Sequence, residues 1–264
     1  MFSVLMSTYH GEQPEYLAQC LESLAVQTRP ADEIVLVKDG PLTDGLEAVL
    51  ARFAHLPLHT VLHEGEGQLG GALALGLEAA SNPVVARMDT DDIALPDRFE
   101  GQLAAFQAEG AVLLGGAIDE FDADPARPIA RRTPPEAPSS WQIQMRNPLN
   151  HMTVMMDRQA ALEAGNYRPL IGFEDWYLWL RMARAGGRIA NLPRVLVQAR
   201  TNASFIARRS GAAYRARERA ALVRFRAEGL IGWPAYAAGR LTRGALRALP
   251  TAALSGVYAK LLRG

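Results

Sequence analysis

Three carboxylates within four residues, those of Asp89, Asp91 and Asp92, form the strongest chemical signal in the sequence. They follow residues 84–88, a mostly apolar run that predicts a short buried strand. Carboxylates this close raise one another's pKa unless a cation or hydrogen-bond donors neutralise them. Oxygen ligands suit Mn²⁺ or Mg²⁺, and such ions commonly carry phosphates, so the segment indicates a site for metal and diphosphate. The alternative is a polar turn in which an Asp caps the following helix.

Glu174 and Asp175 form a second acidic centre far along the chain. A helix is predicted directly after them, because apolar residues recur at helical spacing from Trp176 to Ala183. Acids at a helix N-terminus are favoured by capping and by the helix dipole, so capping alone is one explanation. The same environment keeps a carboxylate ionised, and the alternative is therefore a proton acceptor.

Predicted strands and helices alternate along the chain with short connections. The strands are continuous apolar runs, which is typical of a parallel sheet covered by helices on both faces. Ligands of such sheets bind beyond the carboxyl ends of the strands. Three polar loops, at residues 8–12, 38–40 and 89–92, would therefore share one edge. The predicted strands cover residues 2–7, 33–37, 58–62, 84–88, 112–118, 152–156 and 188–199.

Other segments carry weaker signals. The glycine-rich residues 65–71 are not the dinucleotide fingerprint, which requires G-x-G-x-x-G directly after the first strand and a ribose-binding acid further on. Gly70 and Gly71 more simply let a helix begin close to the sheet or to a ligand. Pro96 is predicted as the first residue of a helix. Residues 122–138, rich in Pro, Arg and Asp, are predicted as an irregular crossing segment.

Charge is unevenly distributed along these 264 residues, although the formal net charge is zero. From residue 205 onward there are 12 Lys and Arg against two Glu, so the tail carries +10 and the preceding residues −10. The single Cys20 cannot form an internal disulfide, which favours a reducing compartment, and its helical spacing predicts a buried thiol. We find no signal peptide and no apolar run near the roughly 20 residues that span a bilayer.

The basic tail is predicted to form amphipathic helices. Leu230, Trp233, Ala237 and Leu241 recur on one side of the first helix, and arginines lie round the other. A similar pattern follows Pro250. Such helices fit an interfacial membrane role. The alternatives are an ordinary helical appendage with solvated charges and a dimer contact.

Five short motifs occur in a characteristic order: SVLMSTY at residues 3–9, VKDG at 37–40, LGGAL at 69–73, RMDTDD at 87–92 and EDW at 174–176. The set resembles the family 2 glycosyltransferases with the GT-A fold, most of all bacterial enzymes that build exopolysaccharide, capsule or O-antigen repeat units. The resemblance covers residues 1 to about 210. It implies an α/β GT-A domain at residues 1–210, Rossmann-like, with a mostly parallel sheet flanked by helices. Residues 211–264 would be a basic amphipathic helical extension.

The resemblance also implies a nucleotide-sugar donor, usually a UDP-sugar, and an inverting transfer that uses Mn²⁺ or Mg²⁺. It assigns the metal to Asp91 together with Asp89, which also faces the ribose, and the catalytic base to Asp175. Asp39 would accept a hydrogen bond from the nucleotide base. The further candidates for donor contacts are Thr8, Tyr9, Glu12, Arg87, Arg208 and Arg209. The candidates for acceptor contacts are His151, Glu174 and Trp176.

The chain departs from the family pattern at three places. Lys38 stands where many relatives have an acid, and Glu66 stands where the glycine-rich segment often begins with Asn. Gln198 and Asn202 occupy the region where a His often follows the last strand. These differences concern the nucleotide contacts and the full ligand set of the metal, and they leave the two acidic centres unchanged.

The chemistry of an inverting transfer requires both centres. The acceptor hydroxyl attacks the anomeric carbon from the face opposite the departing diphosphate, so one carboxylate takes its proton while a metal across the sugar neutralises the leaving group. We therefore expect a glycosyltransferase, peripheral on the cytoplasmic face of a membrane through its C-terminal helices, with a glycan or lipid-linked acceptor and no nucleic-acid partner. The alternatives are a non-catalytic nucleotide-sugar or glycan-binding module on the same fold and a nucleotidyltransferase.

Overall fold

A nine-stranded sheet with helices on both faces forms the framework of the described residues. The computed structural model describes residues 1–65, 68–201 and 211–248, with side chains up to residue 243. The strands are β1 (Phe2–Tyr9), β2 (Glu33–Asp39), β3 (Leu58–His63), β4 (Val84–Arg87), β5 (Ile93–Ala94), β6 (Leu113–Phe121), β7 (Ala130–Arg132), β8 (Met155–Asp157) and β9 (Ile189–Arg200). The helices are α1 (Pro14–Ala25), α2 (Asp44–Arg52), α3 (Leu69–Ala79), α4 (Arg98–Glu109), α5 (Ser140–Met145), α6 (Arg158–Glu163), α7 (Glu174–Arg184), α8 (Gly211–Ala227) and α9 (Trp233–Ala248).

The strand order is β3-β2-β1-β4-β8-β6-β9-β5, with β7 paired to β6. The first four strands are parallel, as predicted, so the loops after β1, β2 and β4 lie at one edge of the sheet. The other half is mixed: β8 runs antiparallel to β4 and β6, whereas β6 and β9 are parallel. The predicted α/β class and the flanking helices are confirmed.

Helices cover both faces of the sheet, which accounts for the continuous apolar runs of the central strands. On one face Phe2, Val4 and Met6 of β1 pack with α1, α2 and α4, and the ring of Phe2 lies 4.9 Å from that of Phe99. On the other face Leu5 belongs to a core that includes α3, α6, α7 and α8. This second core lies beneath both acidic centres, because β4 and α7 contribute to it.

The first helix of the C-terminal region packs directly on the second core. Phe225 of α8 meets Trp176 edge to face at 5.2 Å and stacks on Tyr177 at 5.6 Å. Helix α9 is held by Arg243, whose guanidinium binds Glu218 at 2.9 Å and the backbone oxygen of Met145 at 2.7 Å. None of the helices in the described residues is both long and apolar enough to cross a bilayer. The predicted boundary at residue 210 falls outside the described residues and stays a prediction.

Several local predictions were wrong. Pro96 lies before the helix instead of opening it, since α4 begins at Arg98 with Asp97 at its N-cap. Residues 122–138 contain β7, which was too short to recognise against their Pro-rich background. Residues 152–156 divide between a 3₁₀ turn (His151–Thr153) and β8. The Thr153 hydroxyl donates to the Asn150 oxygen at 2.7 Å, which stabilises a turn where the sequence pattern predicts an extended strand.

Candidate active site

The loop after β1 and the loop after β4 are joined by hydrogen bonds at the sheet edge. Thr90 donates its hydroxyl to a carboxylate oxygen of Glu12 at 2.9 Å, and the same hydroxyl lies 3.4 Å from the backbone oxygen of Ser7. Cys20 of α1, buried as predicted, donates its thiol to the backbone oxygen of Asp89 at 3.3 Å. The acidic segment is therefore fixed by β1 and α1 on one side.

Asp89, Asp91 and Asp92 form a compact acidic cluster, with one ligand oxygen of each within 4.8 Å of the others. Burial, Asp89 and Glu12 raise the pKa of Asp91 from 3.8 to about 7. Burial and the two neighbouring acids also raise the pKa of Asp92 well above its ordinary value. The Oδ2 atom of Asp92 is buried without a hydrogen-bond partner among the described residues. A divalent cation would relieve both the repulsion and this unpaired oxygen, so these residues fit Mg²⁺ or Mn²⁺.

Arg200, the last residue of β9, anchors the acidic segment from its other side. Its backbone N–H donates to Asp92 Oδ1 at 2.7 Å, and its Nε donates to the backbone oxygen of Asp91 at 3.1 Å. The guanidinium lies 3.9 Å from the ring centroid of Tyr16 and 4.6 Å from that of Phe121. The sequence analysis missed this residue, because an arginine ending a strand carries no local signal of a partner more than 100 residues away.

Two buried arginines support the same segment from within the molecule. Arg87 is 1% exposed and forms an ion pair with Asp89, while its Nε and Nη1 atoms have no hydrogen-bond partner among the described residues. Arg98 donates to the backbone oxygen of Arg87 at 2.7 Å and to the sulfur of Met88 at 3.0 Å. Burial lowers the pKa of Arg98 to about 9. Two buried N–H groups of Arg87 could therefore pair with an anion. Arg98, which was not predicted, fixes the end of β4 through its hydrogen bond to the backbone of Arg87.

The predicted nucleotide contacts lie around the ends of β1 and β2. Thr8 is buried with its hydroxyl unpartnered in the described part of the chain, whereas Tyr9 is 45% exposed. Asp39 is buried, and its Oδ1 lies 2.7 Å from Nδ1 of His63, a residue that the sequence analysis did not select. Lys38 binds Glu47 of α2 at 2.8 Å. The cationic departure from the family pattern is therefore neutralised by the neighbouring helix.

The second acidic centre separates into two differently held carboxylates at the start of α7. Glu174 is buried, and its Oε2 accepts the N–H groups of Gly172 at 2.7 Å and Phe173 at 3.0 Å, which closes the turn before the helix. Burial and Asp175 raise the pKa of Glu174 to about 7. Asp175 is partly exposed, and Asn147 donates its amide to Oδ2 of Asp175 at 2.6 Å. Glu174 therefore has a structural role, whereas Asp175 keeps access to solvent.

Buried Tyr167 lies within the electrostatic reach of both acidic centres. Burial raises its pKa well above the ordinary value, Asp175 and Asp89 raise it further, and Arg87 lowers it. The start of α3 also meets the start of α7, because a Cβ on Gly70 would lie 3.2 Å from that of Glu174. Contacts also join the elements that carry the two centres: the backbone N–H of Arg87 donates to the oxygen of Val154 at 2.7 Å, and the ring of Tyr167 lies 6.1 Å from that of Trp179 on α7. Strand β4 and helix α7 therefore belong to one region of the fold.

Trp176 and His151, the other residues predicted to contact the acceptor, both have hydrogen-bond partners within the fold. Trp176 is 3% exposed, and its indole N–H donates to the backbone oxygen of Ile143 at 2.7 Å, so it packs in the core away from solvent. His151 is partly buried and hydrogen-bonds through Nε2 to the hydroxyl of Tyr167 at 3.0 Å. The predictions for Arg208 and Arg209 lie outside the described residues.

The chain is similar in sequence to known glycosyltransferases. Residues 3–165 match the family model "Glycosyl transferase family 2". An amylovoran biosynthesis glycosyltransferase of Erwinia amylovora is 46% identical over 214 residues, which cover 80% of each chain. A UDP-Gal:alpha-D-GlcNAc-diphosphoundecaprenol beta-1,3-galactosyltransferase of Escherichia coli is 30% identical over 265 residues, which cover 99% of this chain and 96% of that protein.

Solved structures agree at the level of the fold. The structure of S. aureus TarS 1-349 in complex with UDP-GlcNAc superposes with a TM-score of 0.66 at 20% identity. The match covers 84% of this chain and 65% of that chain, and it confirms the predicted GT-A fold. Together with the match to the family model over more than half of its length, these similarities establish that the chain belongs to glycosyl transferase family 2.

Proposed function

We propose that this chain is a metal-dependent, inverting glycosyltransferase that moves a sugar from UDP to a glycan or lipid-linked acceptor in the synthesis of a bacterial surface polysaccharide. The observation that carries the proposal is that β4, which leads into the first acidic centre, and α7, which begins at the second, share one core with buried Tyr167, whose ring lies 6.1 Å from that of Trp179 on α7. An inverting transfer requires such a pair, because the departing diphosphate and the incoming hydroxyl lie on opposite sides of the sugar.

The first centre would hold the donor diphosphate. Asp91 and Asp89 would bind Mn²⁺ or Mg²⁺, and the bound ion would neutralise the charge that develops on the leaving diphosphate. Arg87 supports this assignment because two of its buried nitrogens have no hydrogen-bond partner in the described residues and could pair with phosphate. Arg200 and Arg98 would keep the acidic segment in place through their contacts with its backbone.

The second centre would take the proton of the acceptor hydroxyl. Asp175 is the better base of the two acids, since Glu174 is buried and its Oε2 binds two backbone N–H groups. The amide of Asn147 and the backbone N–H of Trp176 each donate to Asp175 at 2.6 Å. These donors hold the carboxylate in one orientation, which a general base requires to accept the proton of the acceptor hydroxyl.

The E. coli relative is named for UDP-Gal and GlcNAc-diphosphoundecaprenol, and this supports a UDP-sugar donor and a lipid diphosphate acceptor. Asp39 at the end of β2 would bind the nucleotide base, with Thr8 and Tyr9 at the end of β1 and Glu12 in the loop that follows as further donor contacts. His151 stays a candidate for acceptor contacts. The burial of Trp176 gives no support to a direct acceptor contact.

We also propose that the C-terminal helices bind the cytoplasmic surface of a membrane, where a lipid-linked acceptor would lie. Support comes from a row of aromatic and basic side chains on α8 and α9, in which Arg226, Trp233 and Arg240 are exposed and Tyr236 is half-buried against the second core. The Trp233 ring stacks on Tyr236 at 5.3 Å, Arg226 lies 5.7 Å from Trp233, and Arg240 lies 5.9 Å from Tyr236. Leu241 is 73% exposed on the same helix. Aromatic, arginine and leucine side chains together suit the interface of an anionic bilayer.

A screen of nucleotide sugars with and without Mn²⁺ tests the proposed reaction. We expect a UDP-sugar to raise the melting temperature only when metal is present, because a ligand that binds the native state stabilises it by mass action. With that donor and GlcNAc-diphosphate lipid as acceptor, UDP should be released and the anomeric configuration of the sugar should invert. Selective binding without turnover would favour the non-catalytic module, and pyrophosphate release from a nucleoside triphosphate would favour a nucleotidyltransferase.

A further inference from the structure

His63 makes a specific contact with the residue that would read the nucleotide base. It ends β3 directly beside the end of β2, where it is the register partner of Asp39. Its Nδ1 lies 2.7 Å from Asp39 Oδ1, and its backbone oxygen accepts the N–H of Gly40 at 3.0 Å. A carboxylate can only accept, so Nδ1 carries the hydrogen in this contact. Both side chains are largely buried, with 19% exposure for His63 and 7% for Asp39.

Gly65 and Gly71 lack a side chain where the imidazole of His63 lies. A Cβ on Gly65 would lie 2.7 Å from Nε2 of His63, and a Cβ on Gly71 would lie 3.0 Å from the same atom. Any side chain at these positions would push against the ring. The two glycines therefore allow the backbone to lie close to the imidazole and restrict its movement, and the hydrogen bond in turn restricts the Asp39 carboxylate.

We propose that His63 is a positioning residue that makes Asp39 selective for uracil over cytosine, an inference that rests on the proposed use of a UDP-sugar. The contact occupies Oδ1 and leaves Oδ2 as the acceptor for a base. Uracil presents an N3–H to such an acceptor, whereas N3 of cytosine has a lone pair and would repel it. A carboxylate that is held in place distinguishes the two bases better than a mobile one, because Asp39 cannot rotate away from cytosine without losing its hydrogen bond to His63.

The test compares UDP and CDP binding to the full chain in the presence of Mn²⁺ by calorimetry. His63→Phe keeps a ring but removes the N–H donor. We expect it to weaken UDP binding about tenfold and to leave CDP binding unchanged, since one hydrogen bond to a charged group is lost. His63→Asn, whose amide can donate from nearly the same place as Nδ1, should recover most of the preference for UDP.

His59→Gln is the matched control. His59 lies on the same strand, is 53% exposed and approaches Glu33 only at 3.8 Å, so its loss should change neither affinity. A purely structural role of His63 would weaken both nucleotides equally and lower kcat. The proposed role raises KM for the UDP-sugar and leaves kcat at saturating donor unchanged.

Gly71→Ala is a second test variant that keeps His63 but displaces its ring, because the added methyl would lie 3.0 Å from Nε2. This variant should also reduce the preference for UDP over CDP. Equal losses for UDP and CDP, or an unchanged preference in both His63→Phe and Gly71→Ala, would overturn the inference while leaving the proposed transferase intact. If the wild-type chain bound no UDP with metal, the proposed function itself would fail, and this inference with it.

Discussion

The Asp91 carboxyl should make metal binding depend on pH near neutrality. Its pKa is raised to about 7 by burial, Asp89 and Glu12, so below that pH a proton competes with the metal. The apparent affinity for Mn²⁺ should therefore fall by up to about tenfold for each pH unit below the pKa. Electron paramagnetic resonance titrations at pH 6 and pH 8 measure this directly. Equal affinities at the two pH values in the wild-type chain would contradict the assignment.

Glu174 should reduce the stability of the fold at alkaline pH. Its pKa in the folded chain is raised from 4.5 to about 7, so the unfolded chain ionises first and the free energy of unfolding falls as pH rises through this window. Both backbone N–H groups bind Oε2, so the single carbonyl of a glutamine can accept them. Glu174→Gln should therefore stabilise the protein by about 1–3 kcal/mol at pH 8 and have little effect at pH 4.5.

Denaturant unfolding at the two pH values would measure this difference. Exposed Glu15 in the first turn of α1 provides the control, because Glu15→Gln removes a helix N-terminal charge without removing a buried one. A Glu174→Gln variant that was less stable than the wild type at pH 8 would show that the charge of Glu174 is needed.

At the scale of elements, the approach of α3 to the sheet depends on Gly76. A Cβ there would lie 2.7 Å from Cγ2 of Val37 and still closer to Cδ1 of Leu5. Gly76→Ala should therefore cost about 1–3 kcal/mol of unfolding free energy through overpacking. In Gly101→Ala the atoms nearest the added methyl belong to the guanidinium of Arg194, a side chain that is 40% exposed and can shift, so helix propensity should stabilise α4 by up to about 1 kcal/mol. Thermal unfolding compares the two, and equal effects would contradict the close packing of α3.

The elements that carry the acidic centres were predictable from the sequence, because β4 is an apolar run that ends just before Asp89 and α7 has an apolar helical period directly after Asp175. The short strands β5 and β7 were not, since two or three residues cannot display a period, and the strand expected at residues 152–156 overlaps β8 only in part. His63, Arg98 and Arg200 were missed for a different reason. Their partners lie on other strands or loops, so pairing became visible only with the fold. Resemblance supplied the roles of Asp39 and Asp175, which spacing alone left open.

At the scale of the whole molecule, we expect binding to anionic vesicles. This follows from the positive charge of residues 205–264 and from the row of aromatic and basic side chains on α8 and α9. Arg226→Gln with Arg240→Gln should weaken co-sedimentation with vesicles that contain phosphatidylglycerol by about 30-fold, because each basic residue near such a surface contributes about 1 kcal/mol. Neutral phosphatidylcholine vesicles should bind weakly in all cases.

The matched control also removes two arginine charges, but from other parts of the surface. Arg52 and Arg127 are exposed on other parts of the surface, with 56% and 88% of their side chains accessible. The double variant Arg52→Gln with Arg127→Gln should bind anionic vesicles like the wild type. Equal weakening in both double variants would indicate a response to overall charge and would contradict a specific membrane face.

The central claim is that a metal site and a proton acceptor act on opposite sides of one sugar, and paired binding and turnover measurements on Asp175→Asn test it most directly. The account predicts that this variant binds UDP with Mn²⁺ within about twofold of the wild type while transfer falls by about 100- to 10,000-fold, the usual range for loss of a general base. Asp91→Ala should instead lose metal-dependent UDP binding. Full transfer by Asp175→Asn would contradict the account.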